Sequence, residues 1–217
     1  IDREIEDLRG TTSGAVTIGA LTYFSSRWLS PRLTRFFEAN PGISLRIEPL
    51  NSVDMMRSLK IDMAVLWGIG GWEGHKSELL LSLPAVPTAN RVLAEQVKQL
   101  GLAEAVRQLP LLGGSSGDAG WRAWHEAAGL PYAPSRSSLT IPDSNSRVQA
   151  VVDGQGIALW DDLVASEFGD GTLVRLSDVR VENAGYFLVF TDQPMSQSAE
   201  AFLDWLVVEN DRSEMPA

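Results

Sequence analysis

The apolar positions of this chain change period repeatedly, and the first change is the sharpest. Over Ala15-Val-Thr-Ile-Gly-Ala-Leu21, branched apolar residues alternate with small or polar ones, as in a strand of a buried sheet. Leu29, Leu33, Phe36 and Phe37 then fall at i, i+4, i+7 and i+8, one face of a helix. Thr22 to Ser26 is the turn between them, with Ser25 or Ser26 placed to cap the helix N-terminus. Pro31 leaves two readings: the helix bends there, or it begins at Ser30 with Pro31 in its first position.

The alternation continues downstream. Pro41-Gly42 turns the chain into a strand over Ile43 to Pro49, Asn51 to Asp54 cap a short helix carrying Met55, Met56 and Leu59, and Ile61 to Trp67 is a third strand. Three strands with two intervening helices predict a parallel βαβαβ unit. A glycine-rich loop, Gly68 to Gly74, follows and is expected over a sheet end. Leu79 to Val86 reads as a strand, with Pro87 to Asn90 capping the next helix at the crossing into a second lobe. There Leu109 to Leu112 leads through Gly113 to Gly117 into a helix from Asp118, with Trp121, Trp124 and Ala128 inward and Gly129 as its stop. Ser137 to Ile141 is read as a strand, Pro142 to Ser146 as the cap of a helix with Val148, Val151 and Val152, and Ile157 to Trp160 as another strand. Tyr186 to Phe190 and a last helix opened by Ser196, with Ala199, Phe202, Leu203, Leu206 and Val207 on one face, are expected to return to the first lobe.

With 217 residues, 44% of them hydrophobic, the chain can build one large domain or two lobes of about a hundred residues. The net charge of -10 argues against these residues gripping a phosphate backbone. Cysteine is absent, which removes disulfides and thiolate metal sites. No apolar run reaches the roughly 18 residues of a membrane span. Ile1 in place of Met is expected to mean that a signal peptide, a tag or another domain has been removed upstream. Ile1, Ile5 and Leu8 make a helical stripe, either a frayed end or the tail of a longer coiled helix, broken by the linker Gly10 to Gly14.

Gly113-Gly-Ser115-Ser-Gly117 has the spacing of a hydrolase nucleophile elbow, but that chemistry needs a histidine downstream. Of the two histidines, His75 precedes it and His125 sits on the helix that Ser115 introduces, so both read as surface or helix-end residues. Neither glycine pair, Gly154-x-Gly156 nor the Gly68 loop, has the setting of a dinucleotide site. No tight His/Asp/Glu spacing suggests a metal, and no cofactor is expected. What recurs is hydroxyls and amides at strand ends: Ser25 and Ser26, Asn51 and Ser52, Thr88, Ser115 and Ser116, and Asp143 to Ser146, with Trp67 and Trp160 ending two strands. Each alone reads as a helix cap; repeated at equivalent places, they suit a small-molecule pocket between lobes.

Five segments in order resemble the effector-binding domain of LysR-type transcriptional regulators: Phe24 to Leu33, Phe36 to Pro41, Ile61-Asp-Met-Ala64, Gly120 to Leu130 and Gln149 to Leu159. The likeness covers about Gly14 to Val208 and is most similar to the branch around the glycine-cleavage regulator. It implies an α/β fold of two Rossmann-like lobes joined by two crossover strands, like type II periplasmic binding proteins. Residues 14–87 with 186–217 would form lobe I, 88–185 lobe II, and 1–13 the end of a linker helix. It further implies a cytoplasmic homo-dimer or tetramer that is not an enzyme and has no membrane partner. DNA would be contacted through a winged helix-turn-helix absent from this chain. Effector contacts would fall on Tyr23, Phe24, Ser25, Ser26, Asn51, Ser52, Trp67, Thr88, Ser115, Ser116, Asp143 and Trp160. Leu66-Trp67-Gly68 stands where that branch has arginine-tyrosine-glycine, and Ala85 to Thr88 where the family has proline-valine-cysteine-serine. The lost arginine argues against an anionic effector; Trp67 with Trp160 suggests a flatter, more apolar one. The alternative is an exported solute-binding protein of the same fold.

Overall fold

Strand β1 (Gly14–Ala20) buries Val16, Ile18 and Ala20, and the first sheet forms on both sides of it. β2 (Ile43–Pro49) and β3 (Met63–Gly68) flank it in parallel, with Gly14 beside Ile43 and Ile18 beside Met63. β8 (Gly185–Phe190) lies antiparallel to β3, and β4 (Ser77–Ser82) completes the order β2-β1-β3-β8-β4. The register of β4 shifts between Leu79 and Leu81, bringing the Leu81 carbonyl within 2.2 Å of where a Cβ on residue 185 would stand, so only glycine fits there. The computed structural model describes residues 14–113, 118–133 and 139–214.

Helix α1 occupies residues 22–39, and its middle records Pro31. Ser25–Leu29 forms a widened π turn and Ser30–Arg32 a tight 3-10 turn before regular α-helix resumes over Leu33–Ala39. A proline lacks the N–H and crowds the carbonyl four residues back, so the turn before it opens. Arg32 Nη1 donates to the Trp28 carbonyl at 2.8 Å within the disturbed stretch. The bending alternative is therefore the observed one. Ser25 and Ser26 are not caps, since the helix begins at Thr22; their hydroxyls donate back to the Leu21 and Tyr23 carbonyls, both at 3.1 Å. The helix expected after Asn51 is only a 3-10 turn, Val53–Met55, followed by irregular turns.

The expected strand over Leu79 to Val86 is two strands in different sheets. Pro84, which cannot donate to a ladder, lies in the break between β4 and β5 (Val86–Asn90). Of the expected caps at Pro87 to Asn90, only Asn90 acts as one, accepting from the Leu93 N–H at 2.9 Å. β5 is the centre of the second sheet, antiparallel to both β6 (Ala158–Trp160) and β7 (Leu173–Arg175). Around it lie α2 (Arg91–Leu100), α3 (Leu102–Gln108), α4 (Ala119–Ala127), α5 (Ser144–Val152) and α6 (Ala165–Gly169). Trp121 and Trp124 of α4 bury inward with Val97, Val106 and Ile157, and Gly129 ends that segment at φ 65°. His125 is no surface residue: it is 1% exposed, with Nδ1 2.8 Å from the Trp121 carbonyl. Residues 139–141 are irregular, and the rest of the strand expected from Ser137 lies outside the described residues.

β8 and α7 (Gln197–Glu214) return to the first sheet. Ala199, Phe202 and Leu206 are buried as expected, but Val207 is 44% exposed. The buried stripe continues through Glu209, whose fully buried carboxylate takes a forked pair of hydrogen bonds from Arg35 of α1. That stripe turns Val207 outward.

Candidate functional site

The N-termini of α1 and α5 meet across the two sheets. The Tyr23 N–H donates to Ser144 Oγ at 2.9 Å, and the Thr22 hydroxyl donates to Asp143. Asp143 also caps α5 by accepting from the Ser146 N–H at 2.7 Å. Burial opposes the charge on Asp143, but the hydrogen bonds from Thr22 and Ser146 outweigh it and hold the carboxyl below its usual range. Beside this contact, Arg27 of α1 grips Glu167 of α6 through both carboxylate oxygens.

Deeper in the seam, Asp161 follows β6 and is 3% exposed. Its carboxylate accepts from the hydroxyls of Tyr23 on α1 and Tyr186 on β8, each at 2.9 Å, and from the Leu163 N–H at 2.9 Å. Burial pushes this carboxyl up to about 6 despite those three donors. Both tyrosines are pushed far above their ordinary value, first by burial and then by the neighbouring Asp161 charge.

Between the sheets opens a hollow of about 430 Å³. Four indoles stand in its walls: Trp67 from β3, Trp72 from the glycine-rich loop, Trp121 from α4 and Trp160 from β6. Trp67 and Trp121 are fixed by their N–H groups, which donate to the Leu83 and Leu112 carbonyls, both at 3.1 Å. Gly120 lies where a Cβ would come within 3.2 Å of the Trp67 ring, so its lack of a side chain keeps this side open. Trp160 stacks at a tilt on Tyr23 with 4.9 Å between ring centroids, and its buried Nε1 has no partner among the described residues. Arg147 of α5 also lines the hollow. Its guanidinium stands 5.3 Å from the Trp160 ring centroid, and burial draws it below its ordinary pKa.

The residues singled out from sequence divide plainly. Tyr23, Asn51, Ser52, Trp67 and Trp160 line the hollow together. Phe24 packs behind it against Trp28 and Tyr186, Ser25 and Ser26 bond to their own helix, and Asp143 serves the contact between α1 and α5. Thr88 is fully buried mid-strand with its hydroxyl donating to the Val86 carbonyl. Ser115 and Ser116 lie outside the described residues. Ser144, within the Asp143 to Ser146 stretch singled out from sequence, also lines it, whereas sequence reading passed over Trp72, Trp121, Arg147, Asp161 and Tyr186 as lining residues. Asp161-Asp162 directly after the strand ending in Trp160 was the available signal for one of them; Arg147, inside a helix pattern, offered none.

Comparison with known proteins agrees with this architecture. The profile of the LysR substrate binding domain matches residues 9–210. The HTH-type transcriptional activator AmpR of Rhodobacter capsulatus is 33% identical over 198 residues, covering 87% of this chain and 64% of that protein. The glycine cleavage system transcriptional activator of Escherichia coli strain K12 is 30% identical over 202 residues, covering 92% of this chain and 66% of that protein. The chain thus spans just under two thirds of the length of these curated relatives. Among solved structures, the effector domain of the transcriptional regulator AmpR of Pseudomonas aeruginosa superposes with a TM-score of 0.75 at 26% identity, covering 93% of this chain and 97% of that one. With its two α/β lobes closed on a lined hollow, this chain belongs to the LysR substrate binding domain family, the effector-binding domains of LysR-type transcriptional regulators.

Proposed function

We propose that the hollow is the effector site of a bacterial transcriptional regulator, and that a small molecule settling there is held without being converted. One observation carries this reading: the hollow is walled jointly by Asn51, Ser52 and Trp67 of one sheet region and by Trp121, Arg147 and Trp160 of the other. A molecule touching both sides stabilises one arrangement of the lobes over others, in proportion to its differential affinity. The lobe boundaries follow the sheets, with the chain crossing at residues 83–85 and returning between residues 176 and 184. The change is passed on through dimer and tetramer contacts to DNA-binding segments lying beyond this chain, in the cytoplasm. The relatives' transcriptional activities support this in preference to an exported solute-binding protein. Against an esterase stands His125, whose ring is packed among Trp121, Trp124 and Tyr132. No helix among the described residues is long and apolar enough to cross a membrane.

Native mass spectrometry of protein purified from cells tests the reading. A retained small molecule is expected on the wild type and not on Gly120→Phe, whose ring would enter the hollow beside Trp67. A molecule retained equally by both would place binding elsewhere.

A further inference from the structure

We propose that the hollow selects a carboxylate-bearing ligand with a flat apolar body, its acid group taken by Arg147 beside the Trp160 wall. This rests on the reading of the hollow as an effector site and adds the class of molecule it takes.

The donors and acceptors on this side of the hollow do not balance. Arg147 uses Nη1 to donate to the Ile141 carbonyl at 2.6 Å, and makes no other hydrogen bond and no ion pair among the described residues. Asp143 attracts this cation but does not offset its burial, and forms no ion pair with it among the described residues. Asp143 accepts from Thr22 and Ser146, and Asp161 from two tyrosines and the Leu163 N–H. The lowered pKa of the guanidinium is the mark of a cation drawn from water without a full counter-charge. The guanidinium nitrogens of Arg147 that are not bonded to Ile141 call for a group that only accepts, and the planar fork of an arginine matches a carboxylate. A single arginine suits one negative charge. The lining also favours a flat apolar body, because Trp67, Trp72 and Trp121 contribute to it together with Leu21 and Leu159. A cavity of about 430 Å³ admits a molecule of about two fused rings.

Isothermal titration of the 217-residue chain with 2-naphthoate and with its neutral isostere 2-naphthamide tests the proposal. The acid is expected to bind at least about tenfold more tightly than the amide, as a charge-assisted bond to a half-buried guanidinium requires. Arg147→Gln is expected to erase that preference, and Arg147→Lys to keep part of it. Melting curves check that both variants fold, and the acid-against-amide comparison on the wild type needs neither. Equal affinity for acid and amide, a preference that survives Arg147→Gln, or no binding of either compound overturns the proposal. Acid and amide binding with equal affinity, both lost in Gly120→Phe, would overturn the acid class while leaving the effector site standing. If that same variant retains the molecule found by mass spectrometry on the wild type, the site itself is lost.

Discussion

Asp161 holds its carboxylate between two tyrosine hydroxyls that belong to the opposite sheet region, and burial raises its pKa from 3.8 to about 6. Between about pH 4 and about pH 6 the folded protein therefore keeps a proton that the unfolded chain has released. The contribution of this residue to stability is greatest below that window, falls as pH rises through it and levels off above. The shift corresponds to about 3 kcal/mol across the window. Thermal unfolding of wild type and Asp161→Asn should reflect this: from pH 4 to pH 6.5 the wild type loses stability relative to the variant. Parallel curves would contradict the assignment. Asp143 and Glu167 are displaced downward, so their effect has the opposite sign, with stability lost as pH falls through a window below about 4.

Among the elements, the abutting ends of α1 and α5 fasten the two sheets on one side of the hollow. Asp143 has two tasks there, capping α5 and accepting from Thr22, so Asp143→Ala should cost about 1–2 kcal/mol, measured by denaturant unfolding. Ser144→Ala removes the acceptor of the Tyr23 N–H and leaves a buried donor unpaired, a further loss of about 1–3 kcal/mol. No change in either variant would mean that water replaces these contacts freely. β1, β2, β3, β6, β8 and most of the helices were legible because their apolar periods are clean, as in β1 and in the Trp121 and Trp124 face of α4, whereas the three-residue β7 is too short to show one. The Ser25 and Ser26 caps misled because serine is favoured both at a helix start and bonded back inside a helix, and the choice was settled by Ser144, some 120 residues away. β4 and β5 merged in the sequence because the apolar run is continuous, and only the proline at position 84 hints at the break.

For the whole molecule, the two-lobe plan was readable from strand and helix alternation together with the family likeness, whereas the site was readable only in part. Asn51, Trp67 and Trp160 declared themselves as strand-end residues. Arg147, Asp161 and Tyr186 acquire their roles only when lobes distant in sequence close on each other, as in the Tyr23 and Asp161 pair separated by 138 residues. A ligand that reaches both walls should also lock their relative motion. Small-angle scattering is expected to give a smaller or unchanged radius of gyration on binding, never a larger one.

The most direct measurement is a crystal structure of the chain with the molecule recovered from the purified protein. That molecule is expected in the hollow, touching Asn51 or Trp67 on one side and Arg147 or Trp160 on the other. A molecule bound on an outer face, or resting on one lobe alone, would contradict it.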